Sequence, residues 1–178
     1  MKSLAIWGAG LATVLMVAGM PATPASARGK SHGSSKGGGD VDPNAAVARA
    51  HGGHVWVRPD PPPTSDGARL GTWLAHHPPK AELTAKVKDG PWAMNYVAVF
   101  KKPALKGAMT VQFVEKGDPK GFVDQYSPEN GSVSLVFRGT YDLSPDQGFN
   151  KGHTYVIKVG QLLKGKFVLY ASGELALK

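Results

Sequence analysis

Histidine is the residue type in this sequence with the clearest potential for chemistry, because five of the six copies fall before residue 80. His51 and His54 are three residues apart, and His76 and His77 are adjacent. If this part of the chain folds back on itself, imidazole nitrogens from both pairs would converge on zinc, copper or nickel. No metal-ligand motif accompanies the pairs, however, and adjacent side chains of an extended chain point in opposite directions. We therefore expect solvent-exposed loop histidines and keep histidine-based metal binding as an alternative.

Catalytic groupings are hard to find. The sequence has no cysteine, which excludes thiolate nucleophiles, cysteine-held iron–sulfur clusters and cysteine-bound zinc. Gly-x-Ser-x-Gly strings occur at residues 29–33 and 33–37, but they lie in a Gly- and Ser-rich stretch and not between a strand and a helix, as a nucleophile elbow requires. Asp118, Asp142 and Asp146 lie in or beside expected turns, where aspartate is favoured for backbone reasons, and Asp142–Asp146 lacks the ligand spacing of a calcium loop. We expect a protein that is not an enzyme and needs no cofactor, with a hydrolase whose residues converge only in three dimensions as an alternative.

The segment from Trp92 to Phe100 has apolar side chains on both faces of an expected strand: Trp92, Met94, Tyr96, Ala98 and Phe100 on one, and Ala93, Val97 and Val99 on the other. Something must cover the outer face, and Trp56, Trp73 and Leu74 from the preceding chain are the expected cover. The alternative is an exposed aromatic surface that binds a glycan or a protein partner. Such a binding surface would comprise Trp92 and Tyr96, flanked by Lys101 and Lys102.

The charge balance favours anionic partners. The chain carries 21 basic and 13 acidic residues. Loss of Lys2 with an export signal would leave 20 basic residues and a net charge of +7. A basic surface favours contact with polyanions of the cell envelope. The charges are scattered, however, so a merely soluble, positively charged surface is the competing interpretation. No recognised nucleic-acid-binding motif is present, and we expect no nucleic acid partner.

The first 27 residues have the three parts of a secretory signal peptide. Lys2 supplies the positive start, residues 4–20 are apolar or small, and Ala25-Ser26-Ala27 forms a cleavage site. Cleavage before Arg28 predicts a bacterial-type exported protein, periplasmic or extracellular, with no transmembrane span after cleavage. An uncleaved N-terminal anchor is the alternative, although glycines dilute the apolar run.

The next two segments differ in composition. Residues 28–53 are rich in Gly, Ser, Lys and Ala, which predicts a flexible spacer, with a helical turn or two after Asp42 that Gly52-Gly53 would end. Residues 54–79 contain two tryptophans and several prolines and are expected to form an ordered strap. Within it, Val55-Trp56-Val57 is a short extended piece, and Pro59 and Pro61–Pro63 argue against a central strand.

From residue 80 onward the hydrophobic period is mostly two, which predicts strands. Turn residues separate the runs. Seven strands are expected, at residues 80–88, 92–100, 108–115, 122–127, 132–143, 154–159 and 166–177. In the sixth, Tyr155, Ile157 and Val159 are expected to point inward. In the last, one face is expected to hold Phe167, Leu169, Ala171, Leu175 and Leu177. Residues 80–178 are therefore predicted to form one all-β domain, a single antiparallel β-sandwich.

A resemblance to immunoglobulin-like and fibronectin type III domains supports this fold class. Leu143, Gly152 and Tyr155–Val159 resemble the stretch before and into the sixth strand of those domains. The resemblance implies that the Tyr155 hydroxyl bonds back to the preceding corner. It covers architecture alone and implies no function. Taken together, the sequence predicts an exported, non-enzymatic module that binds an anionic envelope component or a protein partner.

Overall fold

The computed structural model describes residues 42–86, 90–118, 120–128 and 134–178. The expected signal peptide, residues 1–27, and the first part of the expected spacer, residues 28–41, lie outside these ranges. Within the described ranges, no helix has both the length and the apolar character needed to cross a membrane.

Eight strands and two α-helices make up most of the described chain. In order they are α1 (Ala45–His51), β1 (His54–Arg58), α2 (Ala68–Ala75), β2 (Lys80–Leu83), β3 (Trp92–Val99), β4 (Thr110–Glu115), β5 (Phe122–Tyr126), β6 (Val136–Leu143), β7 (Thr154–Leu163) and β8 (Lys166–Leu177), with a short 3₁₀ turn at Pro145–Gln147. All seven expected strands are present, and the all-β class is confirmed.

The strand order corrects the expected antiparallel sandwich. Seven strands form one continuous path, β5-β4-β7-β8-β1-β3-β6, and β2 pairs with β8. Both β1 and β2 run parallel to β8, whereas the other pairings are antiparallel. The sheet is therefore mixed, and it does not divide into two antiparallel sheets. The physical reason is that a period of two marks a strand and its buried face but does not select its partner.

Strand β1 lies in the middle of the sheet, between β8 and β3. The sequence predicts instead that this segment is part of a strap, because the prolines that follow it disfavour a central strand. The prolines do end it: β1 stops at Arg58, directly before Pro59. Its three middle residues, Val55, Trp56 and Val57, are all buried. Residues 54–79 thus contribute a central strand and a helix to the fold.

The sheet curls, so that its two terminal strands approach each other through side chains. Tyr126 of β5 stacks on Tyr141 of β6, with the ring centroids 4.1 Å apart and the planes 6° from parallel. The concave side holds the main core, to which every strand except β5 contributes fully buried side chains. Tyr155, Ile157 and Val159 of β7 are all fully buried there, on the face that the sequence predicted. The curl explains how one sheet encloses a core without a second sheet.

A layer of two helices covers the outer face of β1 and β3. Trp56, Val97 and Val99 point outward from the sheet into a second apolar cluster with Leu70 and Leu74 of α2. Apolar side chains four residues apart on α2 lie on the same face of a helix, which explains their joint burial. The expected cover of the outer face of β3 is therefore confirmed for Trp56 and Leu74, and Trp73 packs partly buried against the same cluster.

The helical turn expected after Asp42 is confirmed as α1. Asp42 Oδ1 accepts a hydrogen bond from the Asn44 amide at 2.8 Å. Asn44 Oδ1 in turn accepts one from the Gly67 amide at 3.1 Å, which ties the start of α1 to the start of α2. The ordered chain therefore begins before residue 54, the boundary expected between spacer and strap.

Candidate functional site

The expected aromatic binding surface is corrected, because both of its aromatic side chains are buried. Trp92 is 3% exposed and Tyr96 is 1% exposed, and both face the concave core. The Trp92 indole donates a hydrogen bond to the Lys178 carbonyl at 3.1 Å. A strand with apolar side chains on both faces is buried on both sides. The inner face of β3 is buried because the curled sheet encloses it in the main core.

The two lysines of that expected surface are exposed, directly after β3. Lys101 lies over the backbone of the Gly52-Gly53 turn: a Cβ placed on Gly53 would be 3.1 Å from Lys101 Cε. Lys102 is next to it in the exposed β3–β4 connection. The structure thus separates the lysines, which are at the surface, from the aromatic residues, which are not.

The β3–β4 connection packs against the distal part of the β7–β8 hairpin. Gln161 Nε2 donates to the Leu105 carbonyl at 2.9 Å, and Tyr170 donates to Gln161 Oε1 at 3.0 Å. The rings of Phe100 and Tyr170 lie 5.3 Å apart. We call residues 101–108 and 161–170 together the hairpin end.

A β-bulge gives the hairpin end an apolar outer face. The register of β7 against β8 shifts between Val159, opposite Ala171, and Gly160, opposite Leu169. One extra residue inverts the alternation beyond that point. Leu162, Phe167 and Leu169 therefore share the outer face, whereas the sequence predicted that Phe167 and Leu169 lie on the same face as Ala171, Leu175 and Leu177.

These apolar side chains are open to solvent. Leu162 is 48% exposed and Leu169 is 52% exposed, and Leu105 in the adjacent connection is 57% exposed. Val168 pairs with Gln161 on the opposite face of the hairpin and is 38% exposed. Single exposed leucines are ordinary, but a group of them at one end of a molecule marks an interaction surface.

The same end is basic and has few carboxylates near it in sequence. The stretches 90–114 and 147–173 contain no Asp or Glu. Five exposed lysines lie on the hairpin end: Lys101, Lys102, Lys106, Lys164 and Lys166. Among the described residues, none of these five is in an ion pair, whereas Lys116, Lys178 and Arg138 each pair with a carboxylate elsewhere. The positive charge is therefore concentrated together with the exposed leucines.

The turn of this hairpin has an unusual residue at its apex. Leu163 pairs with Lys166, so Lys164 and Gly165 form a two-residue turn. Their φ angles are 50° and 76°, and Lys164 is the one non-glycine residue with positive φ in the described chain. A left-handed turn position favours Asn or Gly, and a lysine there costs about 1 kcal/mol. The apex of the turn therefore has a positively charged side chain in spite of this strain.

The four histidines singled out from the sequence do come together. His51, His54, His76 and His77 line one pocket of about 490 Å³ beside Trp56. The rings of His51 and His54 contact Trp56 edge-on, at centroid distances of 5.5 and 5.9 Å. Helix α2 positions the other pair, because both follow directly after its last residue. The expectation of unrelated loop histidines missed this convergence, which depends on β1 being central.

Two of these histidines have one ring nitrogen engaged. His76 Nδ1 is 2.7 Å from the Thr72 carbonyl oxygen, and His77 Nδ1 is 2.7 Å from the Trp73 carbonyl oxygen. Since a carbonyl only accepts, each Nδ1 carries the proton and each Nε2 is left to bind something else. Among the residues that the structure describes, however, no group of three or more His, Asp or Glu side chains is placed to hold a metal ion.

Sequence reasoning missed a tyrosine network where the ends of the sheet meet. Tyr126 donates to the Tyr96 hydroxyl at 2.8 Å, and Tyr141 donates to Asp124 Oδ2 at 2.5 Å. Gln147 Nε2 donates to the Tyr141 hydroxyl at 2.9 Å. We call these five residues the tyrosine seam. Their spacing in the chain gives no signal, because the contacts exist only once β5 meets β6.

Burial raises the pKa values of the three tyrosines in the seam above the ordinary value. It raises the pKa of Tyr96 to about 12, and it raises the pKa of Tyr126 as well. Burial and the hydrogen bond to Asp124 raise the pKa of Tyr141 to about 12. At neutral pH these groups are therefore hydrogen-bond donors and not bases, which fits a role in holding the curled sheet closed.

The contact implied by the immunoglobulin-like resemblance is present locally. The Asn150 amide donates to the Tyr155 hydroxyl at 2.7 Å, five residues upstream in the chain. The continuous mixed sheet nevertheless differs from an immunoglobulin-like sandwich. No protein-family profile matches the chain, and a search of curated proteins finds no match either.

Proposed function

We propose that this protein is an exported, non-enzymatic binding module that contacts an anionic component of the cell envelope through its hairpin end. The observation that carries the proposal is the concentration of Lys101, Lys102, Lys106, Lys164 and Lys166 on a surface without ion-pair partners among the described residues. A patch of one sign of charge attracts polyanions at long range. This surface replaces the one around Trp92 and Tyr96.

Export to the periplasm or the medium rests on the signal-peptide pattern of residues 1–27. Expression with the native leader, followed by N-terminal sequencing of the exported product, tests it. A product beginning at Arg28 supports export with cleavage. A product that keeps the leader in the membrane fraction supports the uncleaved anchor instead.

Co-sedimentation of the purified exported protein with isolated envelope fractions tests the binding function. We expect pelleting at low salt that added salt weakens, because exposed ionic contacts are screened. The triple variant Lys106→Gln, Lys164→Gln, Lys166→Gln should pellet much less. A matched variant, with Lys86, Lys120 and Lys151 changed to Gln, removes the same charge from exposed sites elsewhere and should pellet normally.

The outcomes separate the possibilities. Equal loss in both triple variants would mean that net charge matters and the hairpin end does not. Pelleting that survives high salt and both triple substitutions would indicate a specific protein partner at another surface. No pelleting of the wild-type protein at either salt concentration would refute envelope binding.

Histidine-based metal binding is a second candidate, favoured by the gathering of His51, His54, His76 and His77 around one pocket. An ion would require side-chain movement, because no three ligands are already in place in the described part of the chain. Titration calorimetry with Zn²⁺, Cu²⁺ and Ni²⁺ on the wild-type protein and on the fourfold alanine variant tests it. Equal metal binding by both proteins would show that the four histidines do not form a metal site.

A further inference from the structure

We propose that the anionic component is a lipid bilayer, and that the hairpin end docks on it with its apolar outer face in the interfacial region. This inference rests on the proposed function and names the partner. Two independent features of the hairpin end carry it: the apolar outer face created by the bulge, and the lysines at and beside the turn.

The apolar face distinguishes a bilayer from a soluble polyanion. A polysaccharide or polyphosphate chain offers negative charge but no apolar phase, so Leu162, Phe167 and Leu169 would stay in water. A bilayer offers both, since an amphipathic surface inserts roughly 5–10 Å into the boundary between headgroups and acyl chains. The exposed leucines match the acyl chains at that boundary, and the unpaired lysines match the anionic headgroups.

The dimensions of the hairpin fit a docking patch. Leu162 and Phe167 are each about two residues from the apex of the turn, or roughly 7 Å at the rise of a β-strand. Leu169 is about four residues from the apex, or roughly 13 Å. With the outer face lying on the membrane, these three side chains form one patch that enters the interfacial region together.

The lysines fit the same orientation. Lys164 and Lys166 flank the turn glycine, and a long aliphatic stem lets each ammonium return to the phosphate layer while the backbone goes deeper. The left-handed φ of 50° at Lys164 places a cation where a smaller residue would be less strained. A two-residue hairpin turn of this kind requires positive φ at both central residues, and here the first of them is a lysine.

The lysines and the leucines are expected to contribute similar amounts to the affinity for anionic vesicles. Each lysine close to an anionic leaflet strengthens binding about fivefold. Burying the exposed half of a leucine contributes a similar factor. Three lysine-to-glutamine changes, or the pair Leu162→Ser and Leu169→Ser, should therefore each weaken vesicle binding by more than about tenfold.

The test uses the exported protein, phosphatidylglycerol-containing vesicles, pure phosphatidylcholine vesicles and soluble polyphosphate. Because the chain has no cysteine, a single Leu162→Cys variant can carry an environment-sensitive NBD dye on the outer face, with Thr84→Cys, an exposed site near the far end of β8, as control. We expect a blue shift at position 162 on anionic vesicles alone and none at position 84. The leucine pair variant should lose vesicle binding but keep polyphosphate binding, with circular dichroism showing that it remains folded.

Each result leads to a definite conclusion. Binding of polyphosphate and vesicles without a blue shift, unaffected by the leucine changes, would overturn the bilayer inference and leave the proposed function standing. Absence of binding to both anionic probes, together with absence of pelleting with envelope fractions, would overturn both. If the leucine pair variant is misfolded, the dye at position 162 in the otherwise wild-type protein decides the question alone.

Discussion

Replacement of Gly139 by alanine should destabilise the protein through the tyrosine seam. Gly139 of β6 lies directly opposite Tyr96 of β3 in the ladder. A Cβ there would overlap the Tyr96 hydroxyl and would lie 2.6 Å from Cζ and 2.7 Å from Cε1 of the ring. Tyr96 cannot swing away freely, because it is 1% exposed and its hydroxyl is held by Tyr126 at 2.8 Å.

The magnitude follows from two contributions. Forcing one methyl group into a packed core costs about 1–3 kcal/mol. Displacing the ring also breaks the hydrogen bond between two buried hydroxyls, which adds about 1 kcal/mol. The free energy of unfolding should therefore fall by about 2–4 kcal/mol, which corresponds to a decrease in Tm of roughly 10 °C.

Urea unfolding followed by tryptophan fluorescence measures this change. Gly71→Ala is the matched control: Gly71 is inside α2, and a Cβ there would make an ordinary contact at 3.5 Å with Val47. Because alanine is the better helix former, this control should gain about 0.4–1 kcal/mol. A Gly139→Ala protein within about 0.5 kcal/mol of wild type would refute the reasoning, since surface substitutions free of steric conflict fall in that range.

Three further predictions concern other parts of the structure. Lys164→Asn should raise the free energy of unfolding by up to about 1 kcal/mol in thermal unfolding, because asparagine tolerates positive φ better; a loss of stability would contradict the turn geometry. The pKa of Tyr96 is about 12 in the folded protein and about 10 in the unfolded chain. Its contribution to the free energy of unfolding is therefore constant below pH 10, and about 2–3 kcal/mol of that free energy should be lost between pH 10 and 12. Tyr96→Phe should flatten that part of the urea-midpoint profile, and an unchanged slope would show that other groups cause it. Trp56→Phe should cost about 1–3 kcal/mol, because the 2.9 Å hydrogen bond from its indole to the His77 carbonyl is lost along with packing; wild-type stability would show that this bond is dispensable.

The alternation of apolar residues was enough to locate the strands. It placed all seven strands after residue 80 and the buried face of β7, because a half-buried strand imposes a period of two on its own sequence. Helix α2 was missed, since Gly71 and Thr72 have low helix propensity and Gly67 at its start provides no side-chain cap. Its apolar pair, Leu70 and Leu74, was the available signal.

The neighbours of each strand in the sheet, and which side chains are exposed, could not be predicted from this alternation. The position of β1 between β8 and β3 is set by pairing with Ser172, more than one hundred positions from His54, and with β3, about forty positions away, which local pattern does not encode. The bulge beside Gly160 then inverted the predicted face of Phe167 and Leu169. The histidine pairs were correctly singled out, yet their convergence also depends on the central position of β1.

The place of β8 in the sheet has a consequence for how the chain folds. This strand pairs with β7, β1 and β2, yet it follows all of them in the sequence. Its contact with β1 joins His54 to Ser172, so closing that loop demands a large entropy loss before any compensating contact forms. Folding of such a high-contact-order sheet is slow, on the order of milliseconds to seconds. A growing chain therefore cannot join β1, β2 and β7 into one sheet until β8 has been made.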